Sequence, residues 1–135
     1  MSESLGATQD RVMAACAAKP GSAEDYPFGD GVVVFKVAGR IFALVPLGPP
    51  PGSVSLKCDP HLSLSLRARY TAITPGYHLN KRHWNTVELD GSVPDDELFE
   101  LIDHSYDLVV ARLTRAQRNR VSSFPANSSN EAANG

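Results

Sequence analysis

Gly76-Tyr77-His78-Leu79-Asn80-Lys81-Arg82-His83-Trp84-Asn85-Thr86-Val87 changes character halfway along. From Trp84 to Leu89 polar and apolar residues alternate, which predicts a half-buried strand closed by the Asp90-Gly91 turn. The run as a whole carries two histidines, a lysine, an arginine and two amide side chains. Its first half is too polar for a core and too rich in large side chains for an ordinary turn. The single Trp of the chain, Trp84, is expected in the core with Phe35, Phe42, Leu101, Ile102 and Val109. A strand of this kind needs partners, and the rest of the chain supplies them.

Upstream, Val32–Val37 and 40–45 are β-rich and separated by Ala38-Gly39, a hairpin signal. Residues 46–52 hold four prolines and read as an irregular loop. Residues 53–58 read as a third strand. Asp59-Pro60 then opens a helix, with Asp as N-cap and Pro at the first helical position. Leu62, Leu66 and Tyr70 fall on one face of that helix, and 72–77 is a turn. Near the start, a helix over 6–19 follows a frayed end at 1–5 and stops at Lys19-Pro20-Gly21. Residues 21–30 read as a loop stapled by Tyr26 and Phe28. Downstream, Pro94 opens a long helix with Leu98, Leu101, Ile102, Ser105, Leu108, Val109 and Leu113 on its apolar side. Acids near its start and arginines at its end suit the helix dipole.

This order predicts an α+β domain: one mostly antiparallel sheet with helices packed on one face and the other face partly open. The chain of 135 residues supports one domain, assigned to 1–120, with 121–135 a disordered tail of Ser, Asn, Ala and Gly. No apolar run reaches the ~18 residues of a membrane span. The absence of a basic and then apolar leader, with only Cys16 and Cys58 as thiols, predicts a cytoplasmic protein without disulfides.

The net charge of −2 hides a strong segregation. Residues 36–85 carry seven basic residues (Lys36, Arg40, Lys57, Arg67, Arg69, Lys81, Arg82) against the single acid Asp59. Residues 86–111 carry eight acids and no Lys or Arg, and 112–120 carry four arginines and no acid. Such blocks either leave a basic face on an acidic protein or fold against each other and cancel.

Several segments together resemble the MmcQ/YjbR family of small bacterial proteins. They are the His78-to-Asn85 core of the opening run, Leu56-Lys57-Cys58-Asp59-Pro60, Ser105-Tyr106-Asp107-Leu108-Val109, Tyr26-Pro27-Phe28-Gly29, Val34-Phe35-Lys36-Val37 and Gly39-Arg40-Ile41-Phe42-Ala43. At position 40 the family more often has Lys, and the proline-rich loop departs from its pattern. The resemblance covers about residues 8–115. It implies a CyaY-like α+β fold and a DNA-binding role, and supplies no catalytic residue. The related frataxin-type fold uses an acidic ridge on its first helix and strand. Here the first helix has only Asp10, so iron handling is not expected.

The residues themselves give no enzyme signature: no Gly-rich phosphate loop, Gly-x-Ser-x-Gly or His-Glu-x-x-His. Cys58 beside Lys57 and close to His61 could be an activated thiol or simply a buried one. Cys58, His61, His78 and His83 lack two tight ligand pairs, and Lys81 and Arg82 would repel a cation, so no metal or other cofactor is expected. Phosphate contacts, in contrast, need the donors this segment supplies. The expectation is therefore a non-enzymatic DNA-binding protein using Lys36, Arg40, Lys57, His78, Asn80, Lys81, Arg82 and His83. The alternative is a protein-interaction or small-anion module on the same surface. Arg67 and Arg69 are assigned to helix-dipole complementation.

Overall fold

The computed structural model describes residues 2–76 and 79–123. The elements are α1 (Ser2–Ala17), β1 (Ser22–Asp25), β2 (Val32–Val37), β3 (Arg40–Pro46), β4 (Ser53–Lys57), α2 (Pro60–Arg69), β5 (Ile73–Pro75), β6 (Trp84–Glu88), α3 (Asp95–Ala111) and α4 (Arg115–Ser123). The strands form one six-stranded sheet in the order β1-β2-β3-β4-β6-β5. Every neighbouring pair is antiparallel. The α+β class and the antiparallel sheet expected from the sequence are both present.

Alternation decides the core. Val33, Phe35 and Val37 of β2, Val45 of β3, Val54 and Leu56 of β4 and Val87 of β6 are buried in one cluster with Leu98, Ile102 and Val109 of α3. Val12 and Cys16 of α1 and Leu66 of α2 join it. On α2 the expected apolar face is only partly used: Leu66 is buried, while Leu62 is exposed. The helix-free side of the sheet carries Val32, Leu44, Ser55 and Thr86, which with Phe28 and Leu79 line an apolar cavity of about 480 Å³.

Five expectations are corrected. Residues 22–25 are an edge strand paired with β2, and Tyr26 and Phe28 are exposed rather than a staple. Residues 73–75 pair with β6, and Pro75 is tolerated because β5 is the opposite edge. The helix expected at 6–19 begins at Ser2. The long C-terminal helix starts at Asp95, with Pro94 as its N-cap, and ends at Ala111. A second helix then follows, so Arg115, Arg118 and Arg120 do not serve the α3 dipole. Thr114 and Gln117 cap it reciprocally: Gln117 N–H donates to Thr114 Oγ1 (3.1 Å) and Thr114 N–H to Gln117 Oε1 (2.9 Å). Val121 belongs to the core, 3.5 Å from where a Cβ on Gly21 would stand, so the folded unit extends past residue 120. The expected disordered tail from 124 onward lies outside the described residues.

A bulge fixes the end of the sheet that matters most. Phe35 pairs with Ala43 and Lys36 with Ile41, leaving Phe42 without a partner. The bulge sends the Phe42 ring into the core, edge-on to Tyr106 with centroids 5.3 Å apart. It also breaks the β3–β4 ladder, which pairs only Ala43 with Leu56 and Leu44 with Ser55. Ser105 of α3, fully buried, fills the gap. Its Oγ donates to the Phe42 carbonyl (2.6 Å) and accepts from Lys57 N–H (2.9 Å). Ser105→Ala would leave both backbone groups unpartnered. The expected loss is about 1–3 kcal/mol of stability, measured by urea unfolding and absent from the exposed control Ser65→Ala.

Candidate anion site at the basic end of the sheet

The two-residue Ala38-Gly39 turn (φ 50° and 79°) closes the β2–β3 hairpin, as the sequence predicts. It sets Arg40 at the first position of β3. Lys57 is the last residue of β4, directly across from Trp84, the first of β6. Antiparallel order brings the start of β3, the end of β4 and the start of β6 to one end of the sheet. Arg112, the C-cap of α3, reaches the same place. Arg40, Lys57, Arg112 and Trp84, with Gly39, Ile41 and Val109, line a cavity of about 360 Å³.

Among the described residues, no acid lines this cavity. Among the described residues, the side chains of Arg40, Lys57 and Arg112 make no ion pair or hydrogen bond. Partial burial, then Arg112 and Arg40, hold the Lys57 ammonium below the ordinary lysine range. Like charges are thus gathered without a counter-charge.

The other central cations are spent differently. Lys36 is paired with Asp25 at 2.6 Å, which holds that carboxyl below its usual range. Arg69 is paired with Glu97 at 2.5 Å. Among the described residues the two alternatives for the charge blocks are therefore both realised: Lys36 and Arg69 cancel against acids, while Arg40, Lys57, Lys81 and Arg82 do not. Arg67 corrects its assignment to the helix dipole. Its Nε donates to Asn85 Oδ1 (2.8 Å), and its Nη2 donates to the carbonyls of Lys81 (2.5 Å) and Trp84 (3.3 Å). Asn85, buried, donates in turn to Ser63 Oγ (3.3 Å). This network latches the 80–84 turn onto α2.

Within that turn, Asn80 is a structural residue. Its Oδ1 accepts from Arg82 N–H at 3.0 Å, and its carbonyl accepts from the N–H groups of His83 and Trp84. Lys81 and Arg82 are exposed, and His83 is half-buried with its carbonyl bound to Cys58 N–H. Arg82, Arg67, His61, Pro60 and Leu64 line a second cavity of about 320 Å³. The structure thus brings Arg40 and Lys57 together, places Arg82 in the neighbouring cleft and turns Lys36 towards Asp25. His78 lies outside the described residues.

Trp84 is not a core residue. Along β6 the buried positions are Asn85 and Val87, while Trp84 and Thr86 are half-buried. The pairing of Trp84 with Lys57 puts both on the phase opposite to the core. Gly76 sits against it: a Cβ at Gly76 would come within 2.9 Å of Trp84 Cβ, and Gly76 N–H donates to the Trp84 carbonyl. Arg112 is the site residue that the sequence reading missed. One signal for it exists, since 112 lies three residues beyond the core position Val109 and so shares its side of the helix.

Cys58 is buried, and burial pushes its thiol up from the ordinary value. That environment suits an inert core thiol rather than a nucleophile. Among the described residues no three His, Cys, Asp or Glu side chains gather as a metal site would need. No helix of the described residues is long and apolar enough to cross a membrane.

A six-stranded antiparallel sheet backed by helices, with cations gathered at one strand end, defines a small α+β domain. The chain belongs to the YjbR family, whose model matches residues 17–108. It is 39% identical over 103 residues to the uncharacterized protein YjbR of Escherichia coli K12, covering 76% of this chain and 87% of that one. It is 38% identical over 96 residues to the uncharacterized protein YbdF of Escherichia coli O157:H7, covering 71% and 79%. The crystal structure of Deinococcus radiodurans protein DR2400 superposes with a TM-score of 0.80 at 39% identity, over 90% of this chain and 92% of that one. A Pseudomonas syringae protein gives a TM-score of 0.63 at 28% identity, over 73% and 96%.

Proposed function

We propose that this domain binds DNA, without catalysing a reaction, through the basic end of its sheet. The observation that supports it is the set of unpaired cations Arg40, Lys57 and Arg112 gathered from three elements. Arg82, with Arg67, extends the positive charge, because residues 57–61 and 82–84 run from one cleft to the next. Such an arrangement binds phosphates as a strip and leaves bases unread.

Affinity for duplex DNA is expected to be on the order of micromolar and to fall with salt, with a slope reflecting about three to five phosphate contacts. In a salt-titrated binding assay, Arg40→Glu with Arg112→Glu should weaken binding about tenfold or more and lower the slope by about 2. Arg115→Glu with Arg118→Glu, away from the cavity lining, should matter less. Lys81→Glu with Arg82→Glu should also weaken binding while leaving stability nearly unchanged, since exposed charges contribute little to the fold. Absence of duplex binding at low salt would defeat the DNA reading. One observation favours the alternative of a small-anion or protein partner: the cations line a concavity rather than a flat face. That alternative gains if inorganic phosphate binds in the cavity and duplex DNA does not.

A further inference from the structure

We infer that the cavity between Arg40, Lys57, Arg112 and Trp84 takes one unstacked nucleotide, its phosphate on the cations and its base against the indole. The domain would then prefer a single strand or a strand end to uninterrupted duplex. This rests on the DNA reading and sharpens it.

The lining carries the argument. A surface that only follows a phosphate backbone needs cations and polar donors. This cavity adds an apolar half: Trp84, Ile41 and Val109 stand with the three cations. Its volume of about 360 Å³ falls at the lower end of small-molecule pockets, about 300–1,000 Å³, which suits a ligand of one nucleotide. Single-strand binders combine these same two chemistries, a basic groove for the backbone and aromatic rings on which bases stack.

The platform is also held in place from several directions. The Trp84 carbonyl accepts from Gly76 N–H and Arg67 Nη2, and Trp84 N–H donates to the Asn80 carbonyl. Trp84 is half-buried, outside the hydrophobic core, and one of the residues lining the cavity. A base within a continuous duplex is stacked on both faces and cannot enter such a cavity without leaving the stack. A single strand has no such cost.

The test uses the full chain and four probes: deoxyadenosine monophosphate, inorganic phosphate, a short single-stranded oligonucleotide, and a duplex whose ends are sealed by hairpin loops. Trp84 is the only Trp, so a change in tryptophan fluorescence reports on this site alone. The mononucleotide is expected to alter that fluorescence and to bind about tenfold or more tightly than phosphate, as stacking requires. Arg112→Glu should lose about tenfold in mononucleotide affinity, and Arg115→Glu should change it little. By calorimetry, Trp84→Phe should retain mononucleotide binding and Trp84→Leu should lose it. The single strand should bind more tightly than the sealed duplex. Equal affinity for phosphate and mononucleotide overturns the inference. So does sealed-duplex binding as tight as single-strand binding with Trp84 silent, although the DNA reading then survives. If the mononucleotide binds at Trp84 and no DNA polymer binds, the pocket stands and the DNA reading fails.

Discussion

Phe42→Ala is expected to destabilise the domain by about 3–5 kcal/mol, the range for removing a large aromatic side chain from a packed core. Phe42 is fully buried, with its ring centroid 5.3 Å from that of Tyr106 and 6.5 Å from that of Phe35. Its neighbours cannot easily collapse into the vacated space. Tyr106 is tied by its hydroxyl to the Pro20 carbonyl at 2.6 Å, and the Phe42 carbonyl is held by Ser105. The bulge that points Phe42 inward also positions Arg40 and Ile41 at the cavity. The substitution should therefore weaken the proposed DNA binding as well as folding. Urea unfolding measures the first effect, with Phe28→Ala as control: Phe28 is 63% exposed and should shift stability by no more than about 0.5 kcal/mol. A Phe42→Ala loss below about 1 kcal/mol would show that the bulge does not anchor the core.

Asn85→Leu is expected to cost about 2–4 kcal/mol, because it strips partners from two groups at once. Asn85 is 3% exposed, accepts from Arg67 Nε and donates to Ser63 Oγ. A leucine there matches the volume but leaves the guanidinium nitrogen and the buried Ser63 hydroxyl without that bond. Arg67→Lys tests the same network from the other side. An ammonium cannot span Asn85 and two backbone carbonyls as the planar guanidinium does. Both variants should lower the unfolding midpoint and loosen the 80–84 turn, seen as faster amide exchange at His83 and Trp84. If both keep the wild-type midpoint and exchange, the latch has no structural role.

The strands with apolar phase were readable because burial on one face writes a period of two into the residues. The edge strand 22–25 was not, since its residues are mostly exposed and carry no such period. Nor was 73–75, only three residues long. The break between α3 and α4 did have a local signal, Thr114 and Gln117 at capping-box spacing. The apolar run on to Leu113 obscured it.

For the site, the chain alone determined that Arg40, Lys57, Lys81 and Arg82 belong to a stretch nearly free of acid. The hairpin turn and the Asp59-Pro60 helix start that hold two of them in place are equally local. Tertiary structure decided which cations stay free, because a charge is neutralised by whatever the fold lays beside it. Asp25 reaches Lys36 only through the β1–β2 pairing, and Glu97 reaches Arg69 only because the fold brings the start of α3 to the end of α2. It also decided the side on which Trp84 stands. Alternation marks two faces without saying which is the core, and the pairing of Trp84 with Lys57 puts it on the phase opposite to Asn85 and Val87. Arg112 joins the other cations only because α3 crosses the sheet to end there, a contact between residues 55 positions apart that no local pattern encodes.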